Sequence, residues 1–123
     1  MTDSKPDETA EFLPLHPLEF QILLSLVDGV AHAYRIVQQV EERQPSWSRI
    51  LPTNLYRRIW RLASLGLIEE VRCEASLGER SRKYFDILPL GRRVASAEAE
   101  RLRQLLAQAV STGVVPDDSA GSS

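Results

Sequence analysis

At 123 residues, with 43% apolar and 26% charged side chains, the chain is sized for one domain with one core and is too apolar to stay unfolded. Its apolar runs are short, as in QILLSLV, far below the roughly 20 residues of a membrane-spanning helix, and the acidic start MTDSKPDETAEF lacks the basic and apolar segments of a secretory signal. A single cysteine, Cys73, excludes an internal disulfide, and these features together point to a cytoplasmic protein.

The formal charge of −2 hides a division along the chain. Residues 1–13 set one lysine against Asp3, Asp7, Glu8 and Glu11, and residues 113–123 add Asp117 and Asp118, which leaves residues 14–112 with a balance of +3. No acidic residue lies between Glu42 and Glu69, whereas Arg43, Arg49, Arg57, Arg58 and Arg61 all do. Partners respond to local fields of this kind more than to net charge.

In chain order, residues 1–12 are polar and without periodicity and read as a disordered acidic tail. Leu18, Ile22, Leu23 and Leu26 then recur at helical spacing behind Pro17, which predicts a first helix over 17–27 stopped by Asp28-Gly29. Ala33, Ile36, Val37 and Val40 predict a second over 31–43, closed before Pro45. Leu55, Ile59, Leu62 and Leu65 predict a third from Pro52 to Gly66, a glycine placed to cap its C-terminus. Residues 68–75 and 82–88 alternate as two strands of a hairpin, with Val71 and Cys73 on one face of the first and Phe85 and Ile87 on one face of the second. Pro89 opens a last helix to about residue 110, and STGVVPDDSAGSS reads as a frayed end.

Helix, helix, helix, strand, strand, long helix is the order of a winged helix-turn-helix domain, mainly α with a small β-hairpin. We assign that domain to residues 13–88, a C-terminal dimerisation helix to 89–111 and a disordered tail to 112–123. On the third helix Asn54, Arg57, Arg58 and Arg61 share one face, with Leu55, Ile59, Leu62 and Ala63 directed away from it. A helix entering the major groove needs such an apolar back and a front that reaches base edges and phosphates. Arginine serves both targets and asparagine suits adenine. Arg80, Arg82 and Lys83 form a second basic group beside the hairpin tip, where a wing would meet the DNA backbone. Tyr56 anchors the helix and reaches toward phosphate. A merely solvated helix face usually mixes charge signs, and this one does not.

Ala95, Ala99, Leu102, Leu106 and Ala109, with Leu105 beside them, fall at alternating spacings of 4 and 3, the seam of a helix pair. A two-fold dimer so formed calls for an inverted-repeat operator. His16, His32 and Cys73 have no metal-ligand spacing, and there is no nucleophile elbow, phosphate-cradling glycine loop or HExxH, so neither a metal, a cofactor nor an enzyme is expected. Cys73 reads as a half-buried strand residue, not a redox centre.

Three stretches resemble the PadR family of winged-helix transcriptional regulators. ILLSLVDGVAHAYRIVQQVEER is similar to its first two helices around a His-Gly-Tyr turn, with His32, Ala33 and Tyr34 in the matching places; LPTNLYRRIWRLASLGLIEE resembles its recognition helix; RSRKYFDILPLGRR resembles its wing strand and the start of its last helix. Ala33 stands where glycine is usual, Thr53-Asn54 replaces Gly-Thr, and Leu88 replaces a capping threonine. The resemblance covers roughly residues 14–105 and implies a homodimer on double-stranded DNA, usually a repressor, of the short form with one helix after the wing. It also implies an aromatic or cationic small-molecule effector between subunits, for which Phe20, Trp47 and Trp60, with Tyr56, are the candidate wall. Aromatics at helical spacing are more often core. Two other readings stand beside the regulator: a winged-helix protein-interaction module whose basic face binds an acidic partner, and a small-molecule carrier.

Overall fold

Each helix begins with a residue that satisfies or removes a free N–H, and the chain uses two devices for this. In the computed structural model, which describes residues 8–48, 51–72 and 83–116, α1 (Pro17–Leu26) and α2 (Ala33–Arg43) are capped by histidines. His16 Nδ1 accepts from the Leu18 N–H at 3.0 Å and His32 Nδ1 from the Arg35 N–H at 3.1 Å. Proline also opens α1, and in α3 (Pro52–Ser64) and α4 (Pro89–Ser111) it acts without a side-chain cap, since neither Leu51 nor Leu88 supplies one. Proline has no N–H to satisfy and its φ is already helical.

The Leu-Gly-Leu-Ile stop of α3 is a paired-bond turn. Gly66 takes φ +82°, its N–H donates to Ala63 O at 3.1 Å, and the Leu67 N–H donates to Leu62 O at 3.1 Å. This closes the last free carbonyls while bringing Leu62 and Leu67, both buried, together. The chain then enters β2 (Ile68–Val71), which pairs antiparallel with β3 (Tyr84–Ile87) in the register Ile68 to Ile87 and Val71 to Tyr84. As the alternation predicts, Phe85 and Ile87 are buried and Tyr84 and Asp86 are half-buried.

The sheet has a third member that the sequence reading placed inside the second helix. Ala31–His32 forms β1, pairing with β3 through Ala31 to Phe85 and His32 to Tyr84, so that the order is β1-β3-β2 and α2 begins only at Ala33. A two-residue strand is too short to show alternation; pairing alone defines it.

The core lies where α1, α2 and α3 meet the inner face of the sheet, built from Ile22, Leu23, Leu26, Ile36, Val40, Leu55, Ile59, Leu62 and Phe85. The start of α4 closes it with Val94 and Ala95. Gly91 permits that closure: a Cβ there would stand 2.1 Å from Leu67 O, a carbonyl already bonded to the Leu88 N–H at 2.9 Å.

Residues 8–12, expected within a disordered tail, are ordered. Glu8–Phe12 forms a 3-10 turn with Thr9 buried, packed against α4. Its anchors are the Arg93–Glu8 ion pair and the Leu15 N–H donating to the buried carboxylate of Glu98 at 3.3 Å. Arg101 also holds Glu98 by two bonds, and this pairing keeps the Glu98 carboxyl below its ordinary range.

His16 supplies a test of the capping. Desolvation, followed by the nearby Arg58 and Arg61 charges, lowers its pKa, with Glu19 opposing. The fold therefore favours the neutral imidazole. Stability should be unaffected above the ordinary histidine value of about 6.5, fall as pH drops through it because the unfolded chain takes the proton first, and level off below the folded value. His16→Asn retains an acceptor for the Leu18 N–H, and thermal melts between pH 7 and 5 should show that this component of the decline is gone.

A candidate nucleic-acid interface

The free face of α3 is set by which of its residues the core takes. Leu55, Ile59 and Leu62 are fully buried, so the opposite side, carrying Thr53, Arg57, Trp60 and Ser64 with Arg61 beside them, looks into solvent. Spacing among the basic residues alone had centred the face on Asn54, Arg57, Arg58 and Arg61. The observed face is rotated toward Trp60, and Asn54 and Arg58 are half-buried at its edge.

The reason for the rotation lies on α1. Glu19, whose side chain is 3% exposed, sits behind α3 and receives Arg61 Nη1 on both oxygens, at 3.0 and 2.9 Å, and Arg58 Nη1 at 3.1 Å. A buried carboxylate is tolerable only when paired and hydrogen-bonded, and two guanidinium groups on one carboxylate leave the cluster net positive. Arg58 is drawn inward to 29% side-chain exposure, while Arg61 remains 57% exposed. Beside the cluster a cleft of about 650 Å³ opens between the N-terminal arm and α3, walled by Phe12, Leu15, His16, Glu19, Arg58 and Arg61.

Arg57 is exposed, and among the described residues its side chain bonds to Asn54 Oδ1 within the same helix. Trp60, half out of the surface, meets Phe85 of β3 edge-on at 5.1 Å between ring centres. Lys83 Nζ lies 5.9 Å over the indole and 3.4 Å from Glu70 Oε2, which ties the root of the wing to the front of α3. Tyr56 packs on the core and lines a recess of about 290 Å³ with His32, Ala33, Tyr34 and Lys83. This recess joins the N-terminus of α2 to the wing side of α3. Arg80, Arg82 and Cys73 lie outside the described residues.

The remaining predicted residues divide. Ala95 belongs to the domain's own core, 6% exposed, so the helix-pair seam loses its first member to internal packing. Ala99 is exposed and Ala109 half-buried; Leu102, Leu105 and Leu106 are 39%, 45% and 56% exposed. Of the aromatics, Phe20 packs on the core, Trp47 stands 83% exposed and Trp60 meets Phe85 edge-on. The structure thus gives the three different surroundings. Among the described residues no three His, Cys, Asp or Glu side chains are grouped to hold a metal, and no helix is long and apolar enough to cross a membrane.

Sequence reasoning missed Glu19, although the signal was present. It falls in phase with Ile22, Leu23 and Leu26, so it is a carboxylate placed on the buried stripe of an otherwise apolar helix.

Comparison with known proteins agrees with this architecture. The fold is similar to that of a PadR family transcription regulator from Clostridium difficile (TM-score 0.69, 18% identity, 81% of this chain and all of the other). It is also similar to a transcriptional regulator from Clostridium thermocellum (TM-score 0.64, 22% identity, 90% and 98%). Bacillus subtilis PadR, solved in complex with operator DNA, is similar over 67% of this chain and 47% of its own (TM-score 0.57, 17% identity). Among curated protein sequences none matches. The family model described as "Transcriptional regulator PadR-like family" matches residues 22–97, a span that runs from Ile22 of α1 through the whole of α3 and the strands β2 and β3, and the chain therefore belongs to the PadR-like family of winged-helix transcriptional regulators.

Proposed function

We propose that this protein is a cytoplasmic, homodimeric repressor that binds double-stranded DNA at an inverted-repeat operator. The observation that carries the reading is the free face of α3: an apolar-backed helix whose exposed front presents Arg57 and Arg61 in a stretch without a single acid from Arg43 to Ile68. Lys83 extends that charge onto the wing, and Tyr34 and Tyr56 flank it. Arg57, Arg61 and Asn54 read base edges in the major groove; Arg58 reinforces the field from behind; Lys83, together with Arg80 and Arg82, holds the adjacent backbone. Support comes also from the operator-bound state of Bacillus subtilis PadR, a protein of the same fold.

Dimerisation runs through α4, whose 23 residues extend about 35 Å. Beyond Glu98 its leucines are uncovered by the chain's own core, and Leu102, Leu105, Leu106 and Ala109 form the seam. Two copies paired there place their α3 helices about one DNA turn apart. The aromatic or cationic effector expected of the family belongs between subunits, where an exposed indole such as Trp47 offers a stacking surface.

Two experiments test these roles. In footprinting and anisotropy titrations on the protein's own upstream DNA, Arg57→Ala should weaken the operator complex by about 1–3 kcal/mol and relax base preference, while Lys83→Ala should weaken binding on all sequences alike. Unchanged affinity in both variants contradicts the assignment. For the seam, Leu102→Glu with Leu106→Glu should convert a dimer to a folded monomer in sedimentation and reduce the footprint to single half-sites; a variant that stays dimeric removes α4 from the interface.

A further inference from the structure

We propose that Glu19 is a positioning residue for DNA recognition: from behind α3 it grips the inner nitrogen of Arg61 and so presents the outer edge of that guanidinium to guanine. The inference rests on the DNA-binding reading above and assigns a role to a residue that does not reach the α3 front.

The geometry is directional. Every described side-chain hydrogen bond of Arg61 leaves from Nη1, toward Oε1 and Oε2 of Glu19 at 3.0 and 2.9 Å. Its Nε and Nη2 are therefore not spent on the carboxylate, and the side chain is 57% exposed on the side shared with Arg57, one helical turn before it. The acceptors O6 and N7 of guanine match a two-nitrogen edge of this kind. An unheld arginine loses rotamer freedom when it binds a base, whereas one already fixed at its inner nitrogen loses less.

Arg58 completes the device. It shares Oε2 of Glu19 at 3.1 Å, so one buried negative charge answers two positive ones and the surface charge offered to DNA is not cancelled. Glu19 is 2% exposed and part of α1, which the core holds through Ile22, Leu23 and Leu26, so its carboxylate is a rigid reference point for α3. A carboxylate on a mobile surface side chain would supply charge without direction.

Positioning differs from simple structural clamping in that Arg61→Lys keeps the ion pair but presents no fork. The test compares wild type, Glu19→Gln, Arg61→Lys and the double variant on the footprinted operator and on scrambled DNA of equal length, with thermal melts alongside. Glu19→Gln should lower the operator-to-scrambled affinity ratio about tenfold, while affinity for scrambled DNA holds or rises. Arg61→Lys should melt near wild type yet lose the same discrimination, and Glu19→Gln should cost nothing further in its background. Full discrimination in folded Arg61→Lys, or an equal additional loss in the double variant, overturns the proposal. Should Glu19→Gln not fold, Arg61→Lys alone decides. Failure of wild type itself to discriminate defeats the DNA-binding reading instead.

Discussion

A single buried carboxylate governs how this protein presents its charge. Glu19 lies in the contact between α1 and α3 with 3% of its side chain exposed, and it is stable there because Arg58 and Arg61 reach it across about forty residues of sequence. The pairing fixes the rotation of α3 about its axis from one side, as Leu55, Ile59 and Leu62 fix it from the other. Without the carboxylate, two guanidinium groups would face a largely apolar junction. With it, the same junction is held by charge-assisted bonds, one arginine is withdrawn and the other remains directed outward.

The rest of the fold keeps that helix in place. The glycine turn after Ser64 delivers the chain to β2 within a few residues, and Trp60 against Phe85, with Lys83 above it, attaches the α3 front to the wing root. On the far side, Gly91 lets α4 approach the Leu67 carbonyl closely enough for Val94 and Ala95 to complete the core. The same helix then runs on past Glu98, where the Arg101 pair and the Leu15 bond end its internal duties and the exposed leucines begin. One helix thus serves the core with its first half and leaves the leucines of its second half exposed.

Much of this was legible in the sequence. The three helices, the proline starts, the Gly66 stop and the inward faces of Phe85 and Ile87 follow from periodicity and turn chemistry, because those signals are local. Three features were not local. The strand Ala31–His32 exists through its partner β3. The face of α3 depends on Glu19, a residue of another helix, and so basic spacing alone centred it too near Arg58. Trp60, which helical spacing suggested for core or pocket, ends half-exposed because Phe85 covers only one edge of its ring. The repeat on α4 runs from Ala95 to Ala109, but Ala95 is taken by the domain's own core and exposure begins beyond Glu98, since spacing cannot tell where a helix stops packing on its own domain.

The most direct test of the account is the salt dependence of binding. Its central claim is that a chain of net charge −2 carries a local positive face built for DNA. Fluorescence anisotropy of labelled duplex from the protein's upstream region, titrated at several salt concentrations, should give tight binding whose log affinity falls with log salt at a slope of several, near 0.9 for each phosphate neutralised. Absence of binding at low salt, or affinity insensitive to salt, would contradict it and leave the arginines of α3 to a different partner.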